Sequence, residues 1–256
     1  MSESSFEEKI EKLCEFIEAS SRIVFFGGAG VSTESGVPDF RSADGLYNTL
    51  DVRFEGYEPE YLLSHTCLVR EPKVFYEFYR QKMDARNVEP NAAHYFLSEL
   101  EKKGKLSAVV TQNIDGLHQR AGSKKVYEIH GTTAKNYCMK CGRRYPGDYI
   151  FESKEAVPRC ECGGMVRCDV TLYEESLPEE AVEHAILEIS KADMMIIGGT
   201  SLTVYPAASF VQYFNGKHIV IINKDHLRYR LDPVNDLEIN MPIGRVFAEV
   251  KKKIDL

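Results

Sequence analysis

Five short apolar runs, each closed by a glycine-rich or polar turn, set the tightest limit on how this chain folds. RIVFF (22–26) is followed by GGAG, SAVVT (107–111) by QNIDG, VYEIH (126–130) by GTT, MMII (194–197) by GGTS and HIVII (218–222) by NKD. Runs of this length without alternation predict strands buried on both faces, as in a parallel sheet. Helical patterns lie between several of them. Residues 5–20 put Phe6, Ile10, Leu13, Cys14 and Ile17 on one face, while 91–104 follows Pro90 and stops at Gly104. Residues 177–191 open with Pro178 and acids and align Val182, Ala185, Ile186 and Ile189. Strands alternating with helices predict an α/β fold with a doubly wound parallel sheet. The five turns then gather along its carboxyl edge, where open α/β sheets bind ligands.

Two stretches break that rhythm: 43–90, aromatic-rich and helical in pattern, and 136–170, which holds clustered cysteines. A large domain is expected from 1–42, 91–135 and 171–256, and a smaller one from the other two stretches. The 256 residues, 43% hydrophobic, suffice for such a pair. A net charge of -7 and a pI near 5.6 oppose binding to duplex nucleic acid, which needs clustered cations. No apolar run approaches the roughly 20 residues that span a bilayer. The opening MSESSFEEKIEK lacks the cationic and apolar regions of a signal peptide. A soluble, cytoplasmic protein without membrane or nucleic-acid partners is expected.

Gly28, Ala29 and Gly30 give G-x-G after a strand, where small residues let N–H groups approach a pyrophosphate. Thr33 replaces the third glycine of G-x-G-x-x-G, and Asp51 lies outside any clear second strand. A dehydrogenase-type site therefore loses ground, leaving GGTS (198–201) and Asn223 as candidates for the adenosine ribose. Cys138 and Cys141 form C-x-x-C, and Cys160 and Cys162 form C-x-C. Two close pairs about 20 residues apart fit a zinc ribbon, whose four thiolates leave no open position and make the metal structural. An exchange of Cys168 for one ligand stays open, while Cys14 and Cys67 read as helix-packing residues. His130 stands out among seven histidines because it falls on the sheet edge, where a pKa of about 6.5 suits a general base. Asn113 and Asp115 read either as turn-makers or as site residues, and Asp39 with Arg41 as a surface ion pair or as part of the first loop.

Taken in order, GAGVSTESGVPDFR (28–41), TQNIDGLHQRAG (111–122), IHG (129–131), the paired cysteines, GTSL (199–202) and IN (222–223) resemble the sirtuin family of NAD-dependent protein deacylases, in particular bacterial deacetylase-like members. The resemblance covers nearly the whole chain. It implies a Rossmann-like NAD-binding domain and a smaller domain made of a zinc ribbon and a helical insert. Gly28, Ala29, Gly30, Thr33 and Asp39 would contact the cofactor, with Phe40 and Arg41 near the nicotinamide ribose. Gln112, Asn113, Ile114 and Asp115 would line the ribose and nicotinamide pocket, and His130, with Asn113, would be catalytic. Gly199, Thr200, Ser201 and Asn223 would hold the adenosine half, joined by Met241 in the loosely matching segment 239–246. The residues from Ser35 to Arg41 would form a flexible cover over the cofactor.

In the implied reaction the acyl oxygen of an acetyl-lysine attacks C1′ of the nicotinamide ribose as nicotinamide leaves, giving an alkylimidate. His130 then activates the ribose hydroxyls, and the products are lysine, nicotinamide and 2′-O-acetyl-ADP-ribose. Acetylated proteins or peptides are the expected partners, adding as a strand between 170–178 and 201–206, and a monomer is expected. The chain departs from the family at CDVTLYEE (168–175), where Cys168 replaces a proline and Glu174 a glycine. Tyr79 and Lys82 stand near the Tyr-x-x-Arg of desuccinylase-type relatives; lysine lacks arginine's fork, which favours acetyl over succinyl. The rival readings are a mono-ADP-ribosyltransferase on the same scaffold and a non-catalytic NAD-sensing domain.

Overall fold

The computed structural model describes residues 3–39, 45 and 51–254. In chain order its first half contains α1 (Glu3–Ala19), β1 (Ile23–Gly27), α2 (Pro59–Leu62), α3 (His65–Arg70), α4 (Pro72–Lys82), α5 (Ala92–Lys102), β2 (Leu106–Thr111), α6 (Leu117–Arg120) and β3 (Val126–Glu128). Then follow β4 (Gly131–Cys138), β5 (Arg144–Pro146), α7 (Asp148–Glu152), β6 (Val166–Val170), α8 (Glu179–Lys191), β7 (Met194–Gly198), β8 (His218–Ile222), β9 (Leu237–Ile239) and α9 (Ile243–Lys253).

Six strands form one sheet in the order β3-β2-β1-β7-β8-β9, every neighbouring pair parallel. The chain runs outward from β1 in one direction, returns, and runs outward in the other, so the order reverses between β1 and β7. That reversal is the dinucleotide-type topology, with its crevice at the reversal. Alternate side chains explain why β1 is buried throughout: Ile23 and Phe25 pack with α1, α5 and α9, and Val24 and Phe26 with α8 and a 3₁₀ segment at 207–213. Each such side chain contributes about 1.5–3 kcal/mol by leaving water. Asn91 caps α5 by accepting from Ala93 N at 2.9 Å, and His94 Nδ1 accepts from Asn91 N at 3.2 Å, in the place a glutamate or glutamine usually fills.

Two expectations need adjustment. Strand β3 ends at Glu128, so Ile129 and His130 lie in the turn beyond it, and the chain passes from Gly131 straight into β4. The sixth strand, β9, leaves no mark in the sequence pattern, because three residues at a sheet edge are too short a run to read.

The second sheet is antiparallel, in the order β5-β4-β6. Against β6 and α7 pack α2, α3 and α4, around Phe54, Leu62, Phe75, Tyr76, Phe78, Tyr79, Ile150 and Cys168. Pro72 starts α4, where its missing N–H costs nothing, and aromatics at 75, 76, 78 and 79 fill the buried face. Tyr79 is therefore a core residue: its ring stacks on Phe151 at 5.4 Å and Phe75 at 5.8 Å, and its hydroxyl lies beside the Cys168 thiol. Enclosed in this way Tyr79 serves the core, while Lys82 at the end of α4 stays partly exposed.

Candidate functional site

Four strand ends meet at the reversal between β1 and β7. The turn after β1 packs directly on the turn after β7: Gly30 N donates to Gly199 O at 2.8 Å and Gly28 N to Gly198 O at 3.2 Å. A Cβ on Gly30 would stand 2.8 Å from Gly199 Cα, and one on Gly28 would stand 3.0 Å from Gly199 O and Thr200 Cβ. Gly199 itself has φ +58. The glycines thus serve the approach of one loop to another, and the N–H groups of Gly28, Gly30 and Gly199 are all committed to backbone carbonyls there. Ala29 is half-buried there, and Thr33 donates its hydroxyl to Gly30 O at 3.0 Å.

The turn after β2 joins the same place through Ser32, a residue the sequence did not single out. Asn113 Nδ2 donates to Ser32 Oγ at 3.0 Å, and Ser32 Oγ donates to Asp115 Oδ2 at 2.7 Å. Asn113 N donates to Thr111 Oγ1 at 3.0 Å, and Asp115 Oδ1 caps α6 by accepting from Leu117 N at 2.9 Å. Burial raises the pKa of Asp115, and the bonds from Leu117 N and Ser32 pull against that rise. Gln112 Nε2 donates to Thr200 Oγ1 at 3.0 Å, which ties this turn to the one after β7. Ile114 O accepts from Thr133 N at 3.0 Å and Thr133 Oγ1 at 2.9 Å, so the start of β4 braces the loop.

His130 stands at the exit from β3, its Nδ1 3.0 Å from Gln112 O. A carbonyl oxygen only accepts, so Nδ1 carries the proton and Nε2 keeps its lone pair. Burial lowers the pKa, opposed by that hydrogen bond, and so favours the neutral imidazole, whose basic nitrogen is then Nε2. His130 O accepts from Thr171 N at 2.9 Å, linking the histidine to the segment after β6.

That segment holds the departures noted in the sequence. Glu174 adopts φ +75, the left-handed region a glycine would favour, and its Oε2 accepts from Thr66 N at 2.9 Å and Thr66 Oγ1 at 2.7 Å. Buried Arg167 donates to Cys168 O at 3.1 Å and Val170 O at 2.7 Å, and pairs with Glu175, which also accepts from Leu172 N at 2.9 Å.

Thr200 is buried and Ser201 exposed, its hydroxyl 2.7 Å from Thr203 Oγ1. Asn223 turns its amide onto Asp225 O at 2.9 Å, and partly buried Met241 packs against the core shared by α1, α5 and α9. Asp39 ends the described part of the first loop; Phe40 and Arg41 lie outside the described residues.

Cys138, Cys141, Cys160 and Cys162 bring their sulfurs within 4.8 Å of one another. The spacings are 3.5 Å between Cys138 and Cys162 and 3.6 Å between Cys141 and Cys160. Four thiolates at zinc's bond length of about 2.3 Å stand about 3.8 Å apart, so the set fits tetrahedral zinc. Gly142 (φ +72) and Gly163 (φ +79) follow the second cysteine of each pair and reverse the chain around the sulfurs. Cys168 lies elsewhere, fully buried in the helical core, and is not a fifth candidate.

A family model described as the Sir2 family matches residues 28–206. An NAD-dependent protein deacetylase of Clostridium acetobutylicum is 51% identical over 95% of this chain and 98% of its own length. One from Clostridium perfringens is 53% identical over 95% and 99%. A solved structure described as Sir2 with p53 peptide and NAD+ superposes with a TM-score of 0.82 at 35% identity, covering 96% of this chain and 98% of that one. The fold and site are those of a parallel-sheet dinucleotide-type protein with a four-cysteine centre. The chain belongs to the Sir2 family.

Proposed function

We propose that this protein is an NAD-dependent protein-lysine deacetylase, converting NAD and acetyl-lysine in a protein or peptide to nicotinamide, 2′-O-acetyl-ADP-ribose and lysine. The single observation that carries this reading is the hydrogen-bonded set at the sheet's reversal: Asn113 to Ser32 to Asp115, beside His130 held through Nδ1. Relatives at about half identity over nearly their full length are named NAD-dependent protein deacetylases. A Sir2 structure with deacetylated p53 peptide and 3′-O-acetyl-ADP-ribose superposes with a TM-score of 0.85.

Gly28, Ala29, Gly30 and Thr33 would take the pyrophosphate, and Gly199, Thr200, Ser201, Asn223 and Met241 the adenosine half. Asp39, Phe40 and Arg41 would approach the nicotinamide ribose, with Gln112, Asn113, Ile114 and Asp115 lining its pocket. Bound NAD supplies a ribose carbon made electrophilic by its nicotinamide leaving group. His130 accepts a proton from a hydroxyl at Nε2, since Nδ1 is committed to Gln112 O. Asn113 presents a fixed amide, and Asp115 gives the pocket a carboxylate able to accept from a carboxamide. The four cysteines would hold a structural zinc, which joins β4 and β5 to the 160–162 turn. We further assign the 43–90 helical module and the 136–170 zinc-ribbon module to one smaller domain, apart from the NAD-binding domain of 1–42, 91–135 and 171–256. A cytoplasmic monomer is the state proposed. Among the described residues no helix is long and apolar enough to cross a membrane.

Mass spectrometry of products from NAD with acetyl, propionyl, crotonyl and succinyl peptides tests the reaction and its acyl preference together. Deacetylated peptide and acetyl-ADP-ribose are expected, with turnover lost in His130→Ala. Label from NAD found covalently on protein, with no acyl-ADP-ribose, would sink the reading.

A further inference from the structure

Helix α9 supplies nothing of its own to its N-terminus. Its first turn carries no acidic residue, and Pro242 at the cap position supplies no side-chain hydrogen bond. The positive end of the helix is met instead by Glu34, from the turn that follows Gly30: Glu34 Oε2 accepts from Gly244 N at 2.5 Å, across 210 residues of sequence. Gly244 has a helical position and no positive φ, so backbone conformation does not call for glycine there. The carboxylate does: a Cβ on Gly244 would stand 2.8 Å from Glu34 Oε2, 2.9 Å from Oε1 and 3.0 Å from Cδ.

The other side of the same loop is held by the cap of α5. Asn91 Nδ2 donates to Val31 O at 2.8 Å and to Ser35 Oγ at 2.9 Å. Residues 31–35 are thus pinned between the starts of two helices that pack together, with Phe96 stacked on Phe247 at 4.5 Å. The residues leading into α9 adjoin the turn after β8, since Asn223 N donates to Ile239 O at 3.2 Å and Met241 N to the same oxygen at 3.1 Å.

We propose that Glu34 is a positioning residue that locks the pyrophosphate-side loop, 28–35, to the adenosine-side loop, 239–242, through the start of α9, and thereby sets affinity for NAD. The inference rests on the NAD reading above. One side chain couples the loop that takes the pyrophosphate to the loop that takes the adenosine half. Gly244 is the partner that admits it, and neither residue touches the reacting groups.

Calorimetric titration of NAD into wild type, Glu34→Ala, Glu34→Gln, Gly244→Ala and the Glu34→Ala/Gly244→Ala double variant tests this. Loss of one such helix-end interaction should raise the NAD Kd about three- to tenfold in Glu34→Ala. Glu34→Gln keeps an acceptor and should recover part of the loss. Gly244→Ala, a change that helix propensity favours, should weaken NAD as Glu34→Ala does, and the double variant should be no weaker than either single one. The KM for acetyl-peptide should stay within about twofold, which a general structural defect would not respect. Unchanged NAD affinity in both single variants, or additive losses in the double, overturns the proposal. The expected pattern without nicotinamide release would support it while overturning the deacetylase reading; a wild type that binds no NAD overturns both.

Discussion

Ser32→Ala removes the middle of the Asn113–Ser32–Asp115 chain while leaving the backbone and a near-identical volume. Ser32 is 1% exposed and Asn113 8%, so water does not readily replace the missing hydroxyl. Two hydrogen bonds go: one donated to a carboxylate, about 1.5–3 kcal/mol, and one accepted from a neutral amide, about 0.5–1.5 kcal/mol. The expected loss of stability is about 2–4 kcal/mol near neutral pH. It should depend on pH with a definite sign. Burial raises the pKa of Asp115, so stability linked to that group is full below its unfolded pKa and is lost as pH rises through the folded one. Ser32 offsets this loss by bonding the ionised form, and its removal therefore hurts most where Asp115 is ionised in the folded protein and less as pH falls toward the ordinary carboxylate range. Urea unfolding of both proteins from neutral pH down to that range measures the difference. With Asn113 no longer oriented, NAD-dependent nicotinamide release should fall about 10- to 100-fold in kcat/KM. A variant within twofold of wild type in kcat/KM, or a stability loss that grows as pH falls, would refute the reasoning.

Glu175→Gln leaves Arg167, whose side chain is 6% exposed, without its charge partner, and should cost about 3–5 kcal/mol in chemical denaturation. Burial pushes the Glu175 pKa up, but the bonds from Arg167, His65 and Leu172 N outweigh it and bring the value down to about 2. Wild-type stability from this group is then present above the usual carboxylate range and lost as pH falls toward 2, and the variant should lack that limb. His94 is lowered to about 4 by burial, so its contribution is full above the ordinary histidine pKa and lost as pH falls from about 6.5 to about 4. His94→Gln, which still accepts from Asn91 N, should lessen the slope over that window in a pH series of urea melts, the remainder coming from His118 and His130, whose pKa values burial also lowers. Metal analysis should find one zinc per chain. Cys141→Ser or a strong chelator should release it and expose the small sheet to protease, while the parallel sheet keeps its far-UV signal.

The parallel sheet was legible because β1 and β7 are buried at every position, which writes uninterrupted apolar runs into the sequence. The cysteine centre was legible for a similar reason, its two pairs being set by local turns that end in Gly142 and Gly163. Ser32 was not: a serine in a glycine-rich loop looks like any small turn residue, and its partners lie 81 and 83 residues away. The core role of Tyr79 is hidden for another reason: its spacing to Lys82 does not say which way α4 turns its aromatic face. Glu174 shows the converse, since the backbone keeps a glycine-like φ where the residue changed, and the side chain finds Thr66 instead. Phe40 and Arg41, prominent in the motif, fall outside the described residues.

The place of β1 in the sheet also governs when this protein can become itself. One of its neighbours, β2, is complete by residue 111, but the other, β7, ends at residue 198. At about 5–20 residues per second of synthesis, the central strand waits on the order of ten to thirty seconds with an apolar flank unmatched. Non-local parallel pairing is slow to form even once both strands exist. The dinucleotide crevice is therefore among the last features to assemble, and a nascent chain stopped before residue 194 should need a chaperone to stay in solution.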